Sequence, residues 1–430
     1  MTSETAGKRR RPRVLHLSYA CGPGRGSEPG IGWHRAVEAA KAFDVWVICE
    51  EGEFAAPVRR YLAEHGPIDG LEFVFEPKRP WELRVQRVQL FYNWIYRRWQ
   101  ARAYHRAVEL HRRVQFDLVH QVTFAGFRDP GHLWRLGVPF VWGPVGGTQN
   151  YPWRFLAEAG PRGAVSETLR SLLNWIQLHY GRRVRQAARA ATVLLATNST
   201  NQRDYRRAWG VESQVLLDVG TDTVHPPRPG PSADGPLRLL WSGQFTPRKA
   251  LGLLLKALAR LPSDVTWELR VLGDGPLRRR WQRLAQRLNV ANRIQWLGWL
   301  PLAEALPNYQ WADAFAFTSL RDSSGTVVLE ALGFGLPIVC LDHQGMHDIV
   351  TGECSLKVPV TTPAQVIDGL RDAIARLARD RDLRARLSAG ATARAGEFLW
   401  SRNGEQLAGI YRNVLQGSSS VSSNPAFPCP

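Results

Sequence analysis

The sequence is short of cysteine, lysine and long apolar runs. Its five cysteines (Cys21, Cys49, Cys340, Cys354 and Cys429) are scattered through 430 residues and follow no metal-ligand spacing. An odd number at such distances argues against a disulfide framework and fits thiols kept reduced in the cytosol. No apolar run approaches the roughly 18 residues of a membrane-spanning helix. The opening MTSETAGKRRRPR is polar and basic, and VLHLSYA behind it is too short for the apolar part of a secretory leader. It reads as a first strand. Acidic residues are outnumbered, 38 Asp and Glu against 56 Lys and Arg, for a net charge of +18, and only six of the basic residues are lysine. A field of that sign attracts nucleotides, nucleic acid and anionic lipid without choosing among them. Hydrophobic residues make up 44% of the chain, which excludes general disorder. The length predicts two domains of about 200 residues each.

The order of segments predicts how those domains are built. VLHLSYA is followed by the Gly-rich CGPGRGSEPGIGW, a helical WHRAVEAAKA and a second short run, DVWVICEE. Strand, glycine loop, helix, strand is the opening of an α/β unit. LEFVFEP, FDLVHQV, PFVWGPV, ATVLLATN and VESQVLLDVG continue the pattern. HPPRPGPSADGP (225–236) has the composition of a domain boundary. After it the pattern restarts with LRLLWSG, KALGLLLKALARL, ELRVLGDGP, RIQWLGWL, DAFAFTS and PIVCLD. Two runs of short buried strands alternating with helices predict two parallel sheets facing each other across a cleft. The expected units are a Rossmann-like domain over 12–225, a second over 236–395, a helix over 396–416 packing back toward the first domain, and a disordered tail over 417–430.

Three glycine loops in the second half stand where an open α/β sheet places its ligand. In RDSSGTVVLEALGFGLPIV (321–339) a turn leads into a helix whose first amides lack intrahelical partners. Ser324, Gly325, Thr326 and Val327 can aim N–H groups at a diphosphate, with Gly325 allowing close approach. Glu330 lies in the same helix within reach of a ribose diol, and Asp322 lies in the loop within reach of sugar hydroxyls. The residues alone leave a second reading open, in which Glu330 is solvated and Asp322 an ordinary turn former. WSGQFTPRKA (241–250) also joins a strand to a helix and carries Arg248 and Lys249. Neighbouring helical residues diverge by about 100°, so one of the two is expected to face inward. LGDGP (272–276) is the third loop.

RDSSGTVVLEALGFGLPIV resembles the signature of retaining glycosyltransferases of family 4, in the GT-B class: two acidic residues separated by seven, before a Gly-Leu-Pro. Asp322 takes the first acidic position and Glu330 the second. SGQFTPRKA resembles the phosphate-clamp segment of that family, with Lys249 at the lysine, Gln244 in place of an arginine and Ala250 in place of a glycine. VLGDGP, IQWLGWLP, WADAFAFTS and the LDHQG loop around Gly345 match further family words, and the resemblance extends over about residues 12 to 415. It implies the GT-B fold and transfer of a sugar with retention of its anomeric configuration. The donor implied is a nucleotide-diphosphate sugar, UDP- or GDP-linked, and no other cofactor or metal is expected. In that reading Glu330 contacts the ribose, Asp322 the donor sugar, and Lys249 neutralises the leaving diphosphate. Asp322 is one methylene shorter than a glutamate, and Gln244 removes a phosphate donor for which Arg248 is the candidate substitute.

In the first half, Gly30 and Gly32 loosely match the glycine loop that this family brings near the donor phosphates, and Glu28 and Trp33 are candidates for contact with a sugar acceptor. His120, in FDLVHQVTF, matches the first histidine of a family stretch whose second is replaced by Val122. It is a catalytic candidate at a strand end, or else a satisfied structural histidine. Gly146 and Gly147 border the expected cleft. Residues 81–113 hold eight arginines, two glutamates and several aromatics, and LRSLLNWIQLHYGRRVRQAARAA is similar. These stretches fit either an anionic membrane surface, with a saccharide or lipid-linked acceptor and a cytoplasmic position on its inner face, or inward-packed aromatics with solvated arginines. A nucleotide-sugar epimerase, a noncatalytic nucleotide-sugar binder and a nucleic-acid binder are the alternatives. Nucleic acid is not expected, because no zinc-finger, zipper or RNA-binding aromatic motif is present.

Overall fold

The computed structural model describes residues 10–86, 91–225 and 235–417. Most of the boundary stretch, 226–234, and all but the first residue of the tail expected over 417–430 lie outside the described residues. The first sheet holds β1 (Arg13–Ser18), β2 (Asp44–Glu50), β3 (Leu71–Glu76), β4 (Leu118–Thr123), β5 (Phe140–Val145), β6 (Val193–Ala196) and β7 (Gln214–Val215). Their order is β3-β2-β1-β4-β5-β6-β7. The second sheet holds β8 (Leu237–Ser242), β9 (Trp267–Leu272), β10 (Ile294–Gly298), β11 (Ala314–Phe317), β12 (Ile338–Asp342) and β13 (Ser355–Pro359), in the order β10-β9-β8-β11-β12-β13. All the strand pairs are parallel. β4 and β5 are buried at every residue, as strands covered by helices on both faces must be. The architecture is GT-B: two parallel α/β layers facing each other across a cleft.

In each sheet the chain order reverses beside the first strand, between β1 and β4 and between β8 and β11. Loops leaving the carboxyl ends of strands diverge at such a point and open a crevice. The loops after β1, β4, β8 and β11 therefore define the facing walls of the cleft.

Several groups hold the two halves closed on each other. Gln344 donates to the Asn150 carbonyl at 3.0 Å, Asn198 to the Ser323 carbonyl at 2.9 Å, and the Ser199 amide to Asp348 at 2.6 Å. Arg321 pairs with Glu167 at 3.0 Å and Lys256 with Glu158 at 2.7 Å. Tyr151, Phe155 and Ala159 of the first half sit in the core of the second sheet. The Trp400–Leu415 helix packs on the Ser27–Ala40 helix of the first half. Its Tyr411 lies beneath the first sheet, between His16 and His120.

Candidate active site

The two loops at the second switch point bring opposite charges together. The loop after β8 ends in a 3-10 turn, Pro247–Lys249, with Ala250 at φ 45°. The loop after β11 carries Asp322. Lys249 Nζ lies 2.5 Å from Asp322 Oδ2 and Arg248 Nη1 3.4 Å from the same oxygen. The expectation that only one of Arg248 and Lys249 faces inward is corrected. It assumed α-helical spacing, and the tight turn followed by a left-handed residue lets both side chains converge. Ser319 Oγ also donates to Asp322, at 3.2 Å. Burial works against the Asp322 carboxylate, but the Lys249 and Arg248 charges outweigh it and hold its pKa below the ordinary range. Burial lowers the pKa of Lys249, and Asp322 opposes that shift. With 8% of its surface exposed, Lys249 is a cation with nearly all its hydration replaced by protein.

The Asp322 backbone is fixed from a third loop. Gln344, at φ 53°, accepts from the Asp322 amide at 2.9 Å through its side-chain oxygen. Gly345 follows, and a Cβ there would lie 1.8 Å from the Ser323 carbonyl, so only glycine lets the two loops touch. Gly146 approaches from the first half: a Cβ on it would meet Ser323 Oγ at 3.1 Å.

The helix Thr326–Gly333 starts from Gly325 at φ 60°, a conformation that leaves its first amides pointing out of the turn. Ser324 is buried beside Asp218, which arrives from the first half. Burial raises the Asp218 carboxyl to about 6. About one turn along the helix, Glu330 accepts a 2.6 Å hydrogen bond from Tyr309 Oη. Burial raises its pKa, against the Tyr309 bond. The solvated reading of Glu330 is therefore set aside: its carboxylate is held under cover and aimed by a buried phenol.

Glu330 and Thr326 open into a cavity of about 370 Å³ between the halves. Gly26, Gly30 and His34 of the first half line its other wall, with Phe334 and Trp400 as flat surfaces. Gly30 thus borders the cavity. Gly32 does not line it; a Cβ there would sit 2.2 Å from the Ala20 carbonyl, so its role is to let the helix pack on the loop after β1. Val327 is half-buried beside Thr326, and Gln244 is exposed at the tip of the β8 loop.

Two first-half candidates lie elsewhere. His120 is fully buried beneath the sheet. Its Nε2 meets the Gly143 carbonyl at 2.5 Å and its Nδ1 bonds Tyr411 Oη. Burial, then the neighbouring His16, pushes its pKa well below the usual histidine value. It is a neutral packing residue, and its catalytic assignment is corrected. Trp33 is buried against Tyr61 and Phe73, ring centroids 4.8 and 5.8 Å away. Glu28 is nearer the chemistry. Its Oε1 accepts from the Ala125 amide of the β4 loop at 3.0 Å, Oε2 has no hydrogen-bond partner among the described residues, and burial raises the carboxyl to about 7. Asp218, Tyr309 and Gln344 escaped sequence reasoning. The one local signal was the LDHQG stretch, in which Gln344 occupies a positive-φ position ahead of glycine. Among the described residues no group of three or more His, Cys, Asp or Glu side chains is placed to share a metal ion.

Comparison with known proteins supports the fold. Residues 227–394, which carry Lys249, Asp322 and Glu330, match the family model described as glycosyl transferases group 1. A lipopolysaccharide core biosynthesis glycosyltransferase, LpsE of Rhizobium meliloti (strain 1021), is 32% identical over 160 residues, 36% of this chain and 43% of that one. The chain spans about half or less of the length of the first curated relatives it matches. Among solved structures, the apo lipopolysaccharide outer core galactosyltransferase WaaB superposes with a TM-score of 0.62 at 14% identity, over 94% of this chain and 99% of that one. Anabaena Alr3699/HepE in complex with UDP-glucose gives 0.58 at 18% identity, over 93% and 99%. The chain is related to GT-B glycosyltransferases, and at these identities the superpositions establish the fold.

Proposed function

We propose that the protein is a retaining glycosyltransferase that moves a sugar from a nucleotide-diphosphate donor, UDP- or GDP-linked, to a saccharide or lipid-linked acceptor in polysaccharide or glycolipid biosynthesis. The observation that carries this reading is the convergence of Lys249, Arg248 and the Gly325 helix start on one side of the cleft, with Glu330 opening into the cavity beside them. Cations and free amides suit a diphosphate. Glu330, aimed by Tyr309, suits a ribose diol, and Asp322 suits donor-sugar hydroxyls. Lys249 and the helix amides would stabilise the charge that grows on the leaving diphosphate, a contribution that a dry, preorganised site makes large. The donor binds the second half and the acceptor enters from the first, across the loops that carry Glu28 and Gly146. With the four described cysteines unpaired, a cytoplasmic setting fits. HepE, solved with UDP-glucose, and LpsE, named for lipopolysaccharide core biosynthesis, support the donor class and the pathway class.

The test is turnover. The protein is incubated with UDP- and GDP-sugars and a panel of saccharide and lipid-linked acceptors, with release of the nucleoside diphosphate measured and the product's anomeric configuration read by NMR. Release that depends on one acceptor, with the donor's configuration retained, supports the reading. An inverted product, or epimerised donor without transfer, rejects it.

A further inference from the structure

The segment Leu156–Tyr180 is broken at Gly160, where φ is 75°, and runs as a regular helix from Pro161 onward. A helix on the surface of a globular protein normally turns its apolar stripe inward. This one is inverted. Its inward face is polar and fully engaged. Glu167 pairs with Arg321, Arg170 donates to the Gln149 carbonyl at 3.0 Å, Asn174 donates to the Thr148 carbonyl at 2.8 Å, and Gln177 accepts from Arg128 at 2.6 Å. Its outward face carries Val165, Leu169, Leu172, Leu173, Ile176 and Tyr180, each between 40% and 68% exposed. The spacing places all six on one stripe about 22 Å long. Single exposed leucines are ordinary, but a contiguous stripe of six marks an interaction surface.

Charge selects the partner. Residues 161–190 hold six arginines and one glutamate, and the glutamate is committed to Arg321. Arg162 is exposed at the start of the stripe, and Arg182 and Arg189 are exposed on the helix that follows it, Arg182–Ala190. The loop over 128–132 joins this helix to the Tyr92–Val114 helix, since Arg128 donates to Gln177 at 2.6 Å and Arg97 pairs with Asp129 at 2.5 Å. On that second helix Trp94 is exposed, with the Arg98 guanidinium over its ring. A second copy of the chain would bring one arginine-rimmed stripe against another, and two bodies of net charge +18 repel. Anionic lipid answers both the apolar stripe and its basic rim.

We propose that this stripe is the face by which the protein lies on an anionic lipid bilayer, with the helix in the plane of the interface and its arginines at the headgroups. No helix among the described residues is long and apolar enough to cross a membrane, so the contact is one of lying on the surface. The inference does not depend on the transferase reading, because no residue of the stripe lines the cleft.

The experiment is co-sedimentation of the full chain with vesicles of phosphatidylcholine alone, and of phosphatidylcholine with one third phosphatidylglycerol. Wild type should partition onto the anionic vesicles at least about tenfold more strongly than onto neutral ones, and release as salt rises. The variant Leu169→Gln/Leu172→Gln/Ile176→Gln should lose at least about tenfold in partition at an unchanged thermal midpoint, since these side chains are exposed. Arg182→Gln/Arg189→Gln should reduce the preference for anionic lipid. Equal partition of wild type and the triple variant would overturn the proposal, as would failure of wild type to bind either vesicle. A dimer seen by light scattering and abolished by the triple variant, without vesicle binding, would assign the stripe to a second copy and overturn it as well.

Discussion

Replacing Asp322 with asparagine leaves two cations facing each other in the cleft. Lys249 lies 2.5 Å and Arg248 3.4 Å from the lost charge, and Lys249 is nearly enclosed. Removing one partner of a buried ion pair costs about 3–5 kcal/mol, most of it from the charge left behind. Exposure of Arg248 discounts this, and about 3 kcal/mol is expected for Asp322→Asn. Lys249→Met should cost less, about 1 kcal/mol, because Asp322 keeps Arg248 and the Ser319 hydroxyl. For a domain of this size 3 kcal/mol is a fall of roughly 6–12 °C in thermal midpoint. The loss has a pH signature. Without Asp322, the burial that already lowers Lys249 acts unopposed, so its folded pKa falls further below its unfolded value. Between those two values the unfolded state binds more protons, and stability rises with pH. The deficit of Asp322→Asn should therefore shrink between pH 7 and pH 10. Thermal melts of wild type and both variants at pH 7 and 9.5 decide it. A deficit equal to that of Lys249→Met, or one that does not change with pH, would refute the electrostatic account.

Three further outcomes follow from the same geometry. Gly345→Ala would drive a Cβ into the Ser323 carbonyl, so it should displace the Ser323–Ser324 turn and weaken nucleotide binding by about tenfold or more, read by calorimetry. Glu28 is raised by burial to about 7 from an ordinary 4.5, so its neutral form stabilises the folded state at low pH and that contribution is lost as pH rises through the interval. Glu28→Gln should remove this slope and leave the variant up to roughly 3 kcal/mol more stable than wild type at pH 8, measured by melts across pH 5 to 8. His120→Ala should lower the thermal midpoint, since it opens the contact with Tyr411 beneath the sheet, while nucleotide affinity per folded molecule stays unchanged.

How far the sequence could be read depends on the range of the interaction. Gly325, Asp322 and Lys249 were visible because glycine turns at strand ends and helix starts are local chemistry, and the switch-point rule then brings separate loops together. The convergence of Arg248 with Lys249 was not visible. It depends on a 3-10 turn and on Ala250 in a left-handed conformation, which an alanine does not announce. His120 was expected at a strand end, but it lies inside Leu118–Thr123, its side chain faces a helix that begins 280 residues later, and no local pattern reports that. The Tyr309 bond to Glu330 likewise joins separate elements. The inverted helix misleads in the opposite way. Its exposed apolar residues recur at helical spacing, and spacing locates a stripe without saying whether protein covers it. Only the polar partners on its inner face show which side is turned outward.

The central claim is that Glu330 and its helix start form a nucleotide site. The most direct measurement is calorimetric titration of UDP, GDP, ADP and their sugars into wild type and Glu330→Ala, with thermal melts confirming that the variant is folded. The account predicts that a uridine or guanosine diphosphate binds wild type, and that loss of the charged hydrogen bond to its ribose weakens binding about 10- to 100-fold. Binding of no nucleotide, or equal affinity in the two proteins, would contradict it.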